Sequence, residues 1–378
     1  MTPPSSPDRR VSLDVFRGLT IGAMVLVNNP GSWAAIYDPL EHAAWHGWTF
    51  TDTIFPFFLF IVGVAIPMAL GKRLSGGGVG PALYAKIARR TLVLFALGLW
   101  LAVFPFYNWV KGEWLNLSEV RIMGVLQRIA LCYLACSLAF LWLKPRAQAV
   151  FTIACLAIYW IAMALGGDWS EAGNLSGLVD RSILGVHMWK GAEHYDPEGL
   201  LSTLPAIAST MAGVFCGRWL SQGRPAHETS AGLFMAGFAL VLIGWMASAF
   251  VPINKPIWTP SYAIFMAGAA FLTLAACHWL IDIRGVTWWT PPFVIFGVNA
   301  LALFVGSGML ARLFNFVPGG VDAEGAAVSL KTAFHDGVLA TLPLGPPENA
   351  SLVYALMTVG LWLFLMWLLW RKRIFIKI

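Results

Sequence analysis

The stretch Glu41-His-Ala-Ala-Trp-His-Gly-Trp-Thr-Phe-Thr-Asp52 gathers imidazoles, carboxylates and indoles between apolar runs. Two histidines with a nearby carboxylate fit a general base held in orientation, suited to taking a proton from an amine or an alcohol. The same residues also admit a plain reading: tryptophans at this depth are ordinary belt residues of a membrane interface. Metal binding by His42 and His46, at i and i+4, requires a helix there and further ligands, so no metal is expected. Just before this stretch, Asn28 and Asn29 end an apolar helix and Pro30-Gly31 breaks it.

Four other places put polar groups where apolar ones are expected. In Ser12-Leu-Asp-Val-Phe-Arg-Gly18, Asp14 and Arg17 sit at i,i+3 on one helix face. They either pair as an interfacial anchor or leave Arg17 to meet an anionic ligand in a cavity. Gln127 and Arg128 lie a turn inside an apolar run, where a guanidinium costs a few kcal/mol. They must face the bundle interior, as ligand-binding groups or as a structural network. Asn299 carries the same two alternatives. In Tyr195-Asp-Pro-Glu-Gly199, Asp196 and Glu198 either start a helix, where carboxylates are favoured, or hydrogen-bond a sugar.

Positioning these groups requires apolar helices. Of 378 residues, 58% are hydrophobic and 12% charged, against roughly 45–50% and about 25% in soluble domains. Runs long enough to cross about 30 Å as helices are predicted at 12–30, 51–70, 84–106, 122–143, 148–166, 200–219, 230–251, 258–280, 291–313 and 350–370. The expected fold is all-α, a single polytopic transmembrane helical bundle over residues 1–378 with about ten spans. An eleventh short helix is a further expectation near Ala326 to Leu342. The segments 31–50, 167–199 and 314–349 are longer than turns require and hold His42, His46, His187, His194 and His335; long ordered loops tend to be functional.

The charge of +6 is topogenic. With both termini placed in the cytoplasm, the opposite side holds Lys111, Arg121, Arg181, Lys190, Lys255, Arg312 and Lys331. Arg17 and Arg128 lie within spans, and the remaining basic residues, among them Arg9, Lys72, Arg73, Arg90 and Lys377, fall on the cytoplasmic side. That bias follows the positive-inside rule and argues against nucleic acid as a partner. No small-residue cleavage site follows the N-terminus, so a removable signal peptide is not expected. The five cysteines lie in apolar runs without metal-ligand spacing. Ser75–Gly80 reads as a flexible linker, and no internal repeat is evident, which weighs against a transporter of inverted halves.

The chain resembles the heparan-α-glucosaminide N-acetyltransferase family of transmembrane acyltransferases, including bacterial members. The resemblance rests on Leu13-Asp-Val-Phe-Arg-Gly18, Glu41-His-Ala-Ala-Trp-His-Gly-Trp-Thr, Asp52 with Phe55-Pro-Phe-Phe, Gly124-Val-Leu-Gln-Arg128, Tyr195-Asp-Pro-Glu-Gly-Leu200, Asn299 and Lys372-Arg-Ile-Phe-Ile-Lys-Ile378. It implies transfer of an acetyl group from cytosolic acetyl-CoA to the amine of a glucosamine-type acceptor across a bacterial inner membrane. The family's catalytic histidine matches His42 and its asparagine matches Asn28. Ala44 and His46 depart from the serine and asparagine of the family pattern, which puts the acceptor's identity in doubt. A homodimer is also implied.

On that resemblance, His42 deprotonates the amine, Asp52 orients its imidazole, and Asn28 donates to the developing oxyanion. Arg17, Gln127, Arg128 and Asn299 are the expected acetyl-CoA-binding residues, with Arg17 and Arg128 in a cavity open to the cytoplasm. Trp45, His46, Asp196 and Glu198 are the expected acceptor-binding residues. Rival functions are an amino-sugar transporter and an O-acyltransferase that modifies a surface polysaccharide.

Overall fold

The computed structural model describes residues 10–77, 80–321 and 324–376. Most of them are helical: α1 Val11–Val27, α2 Ile54–Gly77, α3 Pro81–Val103, α4 Val125–Trp142, α5 Pro145–Gly166, α6 Leu175–Leu184, α7 Thr203–Leu220, α8 Ala226–Ala247, α9 Pro260–Cys277, α10 Pro291–Val298, α11 Ala300–Phe316, α12 Leu330–Gly337 and α13 Pro347–Arg371. The all-α expectation is amended by two short antiparallel hairpins, β1 Tyr107–Asn108 with β2 Glu113–Trp114, and β3 Pro318–Val321 with β4 Ala327–Ser329. The expected linker at Ser75–Gly80 gives way to helix as far as Gly77. Gly78 and Val79 lie outside the described residues, as do Arg9, Lys377 and the side chains of Lys72 and Arg73.

Among the described residues, six helices are long and apolar enough to cross a membrane: α2, α4, α5, α8, α9 and α13. The bent pair α10–α11 makes a seventh if it counts as one span. Length and composition thus support six or seven of the ten expected spans. The helix α1 has 17 residues, and α3 carries Lys86, Arg89 and Arg90 near its start. The helix near 326–342 exists as α12, but its 8 residues rise only about 12 Å, too little to span.

Lipid-facing surfaces are as apolar as buried ones, so helices in a bilayer associate through close packing and small residues. Gly63 and Gly213 supply that contact between α2 and α7: a Cβ on either would overlap the carbonyl of Thr210 or of Phe60 on the facing helix. Gly18 and Gly297 do the same for α1 and α10, against the carbonyls of Phe293 and Asp14. The central helices α2, α4 and α9 are mostly buried, whereas α5, α8 and α13 present broad apolar outer faces.

The span expected at 291–313 is broken. Helices α10 and α11 meet at 82°, with Asn299 outside helical geometry between them. Its side chain explains the break. Nδ2 donates to the Ile374 carbonyl and Oδ1 accepts from the Ile376 amide, both at 2.9 Å. Asn299 thereby fastens the C-terminal tail to the bundle as a strand partner would.

Candidate active site

Asp52, in a 3₁₀ turn that opens α2, organises the preceding loop. Its buried carboxylate accepts from the amides of Ala43 (3.1 Å) and Thr49 (3.0 Å) and from the Thr49 hydroxyl (3.3 Å) on one oxygen. The other oxygen lies 2.6 Å from His42 Nδ1. Tyr262 of α9 donates to the Asp52 carbonyl at 2.6 Å, which ties the turn to the core. Gly47, at φ +101°, lets the loop turn back so that its amide reaches the Ile253 carbonyl (2.8 Å). A carboxylate only accepts, so His42 carries its proton on Nδ1 and keeps a lone pair on Nε2. That nitrogen lies 3.4 Å from Lys255 Nζ, and the His42 side chain is 50% exposed.

The neighbouring expected residues divide. Asn28 caps the end of α1 with an exposed side chain, and among the described residues no hydrogen bond joins it to His42. No helix forms over residues 42–46, so His42 and His46 do not share a helix face. His46 turns instead to Asn254 (3.3 Å), and burial pushes its pKa down. Trp45 donates to the Trp169 carbonyl (2.8 Å) and packs edge-on to Tyr195, docking the loop on the 167–199 segment.

Asp196 and Glu198 do not offer free carboxylates to an acceptor. Both are buried and both are held by Arg121; Asp196 also accepts from the Trp189 amide at 2.8 Å. In this structure both pair with Arg121 just before α7.

Arg128 departs most from expectation. It is fully buried toward the His42 end of the bundle. Nη2 donates to the Gly199 carbonyl (3.0 Å) and to Ser202 Oγ, and the guanidinium stacks 5.3 Å from the Trp258 ring centroid. It therefore does not face the cavity containing Arg17. Gln127 also turns away from that cavity, filling the space left by Gly98 and Gly124 between α3 and α4.

The cavity itself has a volume of about 350 Å³. Arg17 of α1 and Arg90 of α3 supply its charge, Tyr133 of α4 its aromatic face, and Phe58, Ile61, Val62 and Ala65 of α2 an apolar wall. The Arg90 guanidinium stacks 4.7 Å from the Tyr133 ring. Arg17 pairs with Asp14 at 3.4 Å, as the i,i+3 spacing predicts, and still lines the cavity. Asn299 reaches it indirectly, because the tail it fastens contributes Ile376 to the lining. Two guanidiniums, an aromatic face and an apolar channel suit a molecule with an anionic head and a slender arm.

A family model described as heparan-alpha-glucosaminide N-acetyltransferase, catalytic, matches residues 9–250. The chain belongs to this family. It is similar to the heparan-alpha-glucosaminide N-acetyltransferase of Mus musculus, 27% identical over 431 aligned residues that cover 99% of this chain and 61% of the relative. The Homo sapiens protein of the same name is 27% identical over 429 residues, covering 98% and 60%. The chain thus spans about three fifths of the length of these curated relatives. Within the family match lie His42, Asp52, Arg17, Arg90 and Arg128; Lys255 and Asn299 fall beyond it.

Family membership gives Arg128 a checkable status. As a structural group it donates to the buried Gly199 carbonyl and Ser202 Oγ, while Glu198 keeps its own partner in Arg121. Arg128→Ala is expected to cost about 2–4 kcal/mol of stability, from the cavity left behind and the two acceptors stripped of their donor, seen as a lower Tm in detergent, with acetyl-CoA affinity of the folded fraction unchanged. Weakened affinity at normal Tm would return Arg128 to the donor site.

Sequence reasoning missed Arg90, Tyr133 and Lys255. By sequence position alone, Arg90 belongs with the topogenic charges of the cytoplasmic side. Lys255 stands between Pro252 and Pro256 in a short connector, a signal that a constrained loop presents a charged group.

Proposed function

We propose that this protein is a transmembrane acetyltransferase that moves an acetyl group from acetyl-CoA to the amine of a glucosamine-type sugar. The observation that carries this reading is that one chain holds both a His42–Asp52 dyad and a cavity charged by Arg17 and Arg90, with the turn that opens α2 supplying Asp52 and α2 itself supplying Phe58 to the cavity wall. Ligand pockets commonly measure about 300–1,000 Å³, so the cavity holds the slender arm of the donor. The phosphate-bearing head stays at the two arginines. Phe58 is the lining residue of α2 nearest the dyad, six positions beyond Asp52 and so about 9 Å along the helix. The thioester reaches His42 by displacing the Phe55 and Phe58 rings.

A sugar ammonium is not nucleophilic until it loses a proton. That first proton leaves to solvent, and His42 Nε2, whose lone pair is fixed by the Asp52 contact on Nδ1, takes the second as the nitrogen bonds to the acetyl carbon. Asn28, exposed at the end of α1, is proposed as the donor to the oxyanion. The positive-inside bias supports both termini in the cytoplasm of a bacterium, with His42 at the periplasmic face of the inner membrane. The α10–α11 break favours a second reading, since discontinuous helices line transporter sites, although its polar residue Asn299 is already engaged by the tail.

Incubating the purified protein with labelled acetyl-CoA and a panel of amino sugars and alcohols tests the proposal. N-acetylated glucosamine is the expected product. Label on hydroxyls alone would make the protein an O-acyltransferase, and uptake of sugar into proteoliposomes without any transfer would make it a transporter.

A further inference from the structure

Lys255 stands where the reaction needs a second proton-handling group. It sits in the connector between α8 and α9, half-buried, at a place fixed by Asn254. That residue receives the Ile257 amide on Oδ1 (3.0 Å) and donates to the Trp45 carbonyl (2.8 Å). The connector and the catalytic loop are thus one unit, and the 3.4 Å approach of Lys255 Nζ to His42 Nε2 belongs to that unit rather than to two loops in chance contact.

We infer that Lys255 is a catalytic acid that protonates the departing CoA thiolate and then recovers its proton from His42. This inference rests on the acetyltransferase reading. An alkyl thiol titrates near about 8.5, so its thiolate is a leaving group that gains from protonation. The ordinary lysine is a poor donor to it. Burial pushes the Lys255 ammonium down, opposed by Glu198 and Asp52 and reinforced by Arg128 and Arg121, which moves the two closer to a match.

The protons balance. The acceptor ammonium releases one proton to solvent and its neutral nitrogen bonds to the acetyl carbon. The nitrogen of the tetrahedral adduct passes its second proton to His42 Nε2. The C–S bond breaks, its electron pair stays on sulfur, and Lys255 Nζ gives sulfur a proton. The proton on His42 then crosses the short gap to Lys255, and both groups are restored.

The test compares Lys255→Met and Lys255→Arg with the unaltered protein over a range of pH, using acetyl-CoA and glucosamine. Groups facing Lys255 that also titrate or carry charge are His42, Asp52, Glu198, Arg121 and Arg128. The unaltered protein should show a kcat that falls on the alkaline side as Lys255 loses its proton. Lys255→Met should lose about a hundredfold in kcat and lose that alkaline limb, with KM for acetyl-CoA unchanged. Lys255→Arg keeps the charge but cannot give up a proton near neutrality, so it should stay as slow. Full rate in Lys255→Arg, or an alkaline limb that persists in Lys255→Met, overturns the role. Failure of the unaltered protein to acetylate any amino sugar would instead sink the acetyltransferase reading beneath it.

Discussion

Replacing His42 with alanine is expected to lower acetyl transfer by about 10²–10⁴-fold, the usual worth of a positioned acid–base group. Binding of acetyl-CoA should not change, because His42 does not line the cavity that holds Arg17 and Arg90. Folding should also survive. The side chain is half exposed, and Asp52 keeps its bonds to Ala43 and Thr49 without it. Labelled acetyl transfer by the purified variant, paired with calorimetry of acetyl-CoA in detergent, checks both halves. A wild-type rate in His42→Ala removes the imidazole from the chemistry.

Asp52→Asn should cost a comparable amount for a different reason. An amide in place of the carboxylate turns its NH₂ toward His42 and forces Nδ1 to accept, which moves the proton onto Nε2. The nitrogen that must take a proton then already has one, and loss of the correct tautomer in such dyads costs about 10⁴-fold in kcat. KM for the donor stays constant. Asp52→Ala adds a stability loss, because the part-buried amides of Ala43 and Thr49 lose their acceptor, at about 0.5–1.5 kcal/mol each. Measured kcat for Asp52→Asn near that of the unaltered protein would show that the carboxylate only shapes the loop.

The dyad was legible in sequence because its partners lie close along the chain and a carboxylate at a helix start readily gathers the amides of the loop before it. Arg17 was legible for a similar reason, since i,i+3 spacing on a helix dictates its pairing with Asp14. Depth in the bilayer, by contrast, gives the cost of a charge but not the direction it faces. On α4, Leu126, Ile129 and Tyr133 form the i, i+3, i+7 stripe that lines the cavity. Arg128 sits about 100° around the helix from Ile129, and that rotation alone separates donor binding from internal support. Asn299 was marked as polar and buried, yet its partners are the backbone of Ile374 and Ile376, some 75 positions away. Lys255 meets His42 across 213 positions, a pairing that only the folded chain brings together. The break between α10 and α11 escaped detection because both halves are apolar and no proline interrupts them at Asn299.

The contact through Gly18 and Gly297 leaves no slack between α1 and α10, so these two helices travel as a single welded post. The rest of the cavity wall comes from α2, α3, α4, α11 and Ile376 of the tail. Arg90 rides on that wall and Arg17 on the post. The spacing of the two guanidiniums is therefore set by how α3 seats against that post, so a larger side chain at Gly18 or Gly297 should shift Arg17 relative to Arg90.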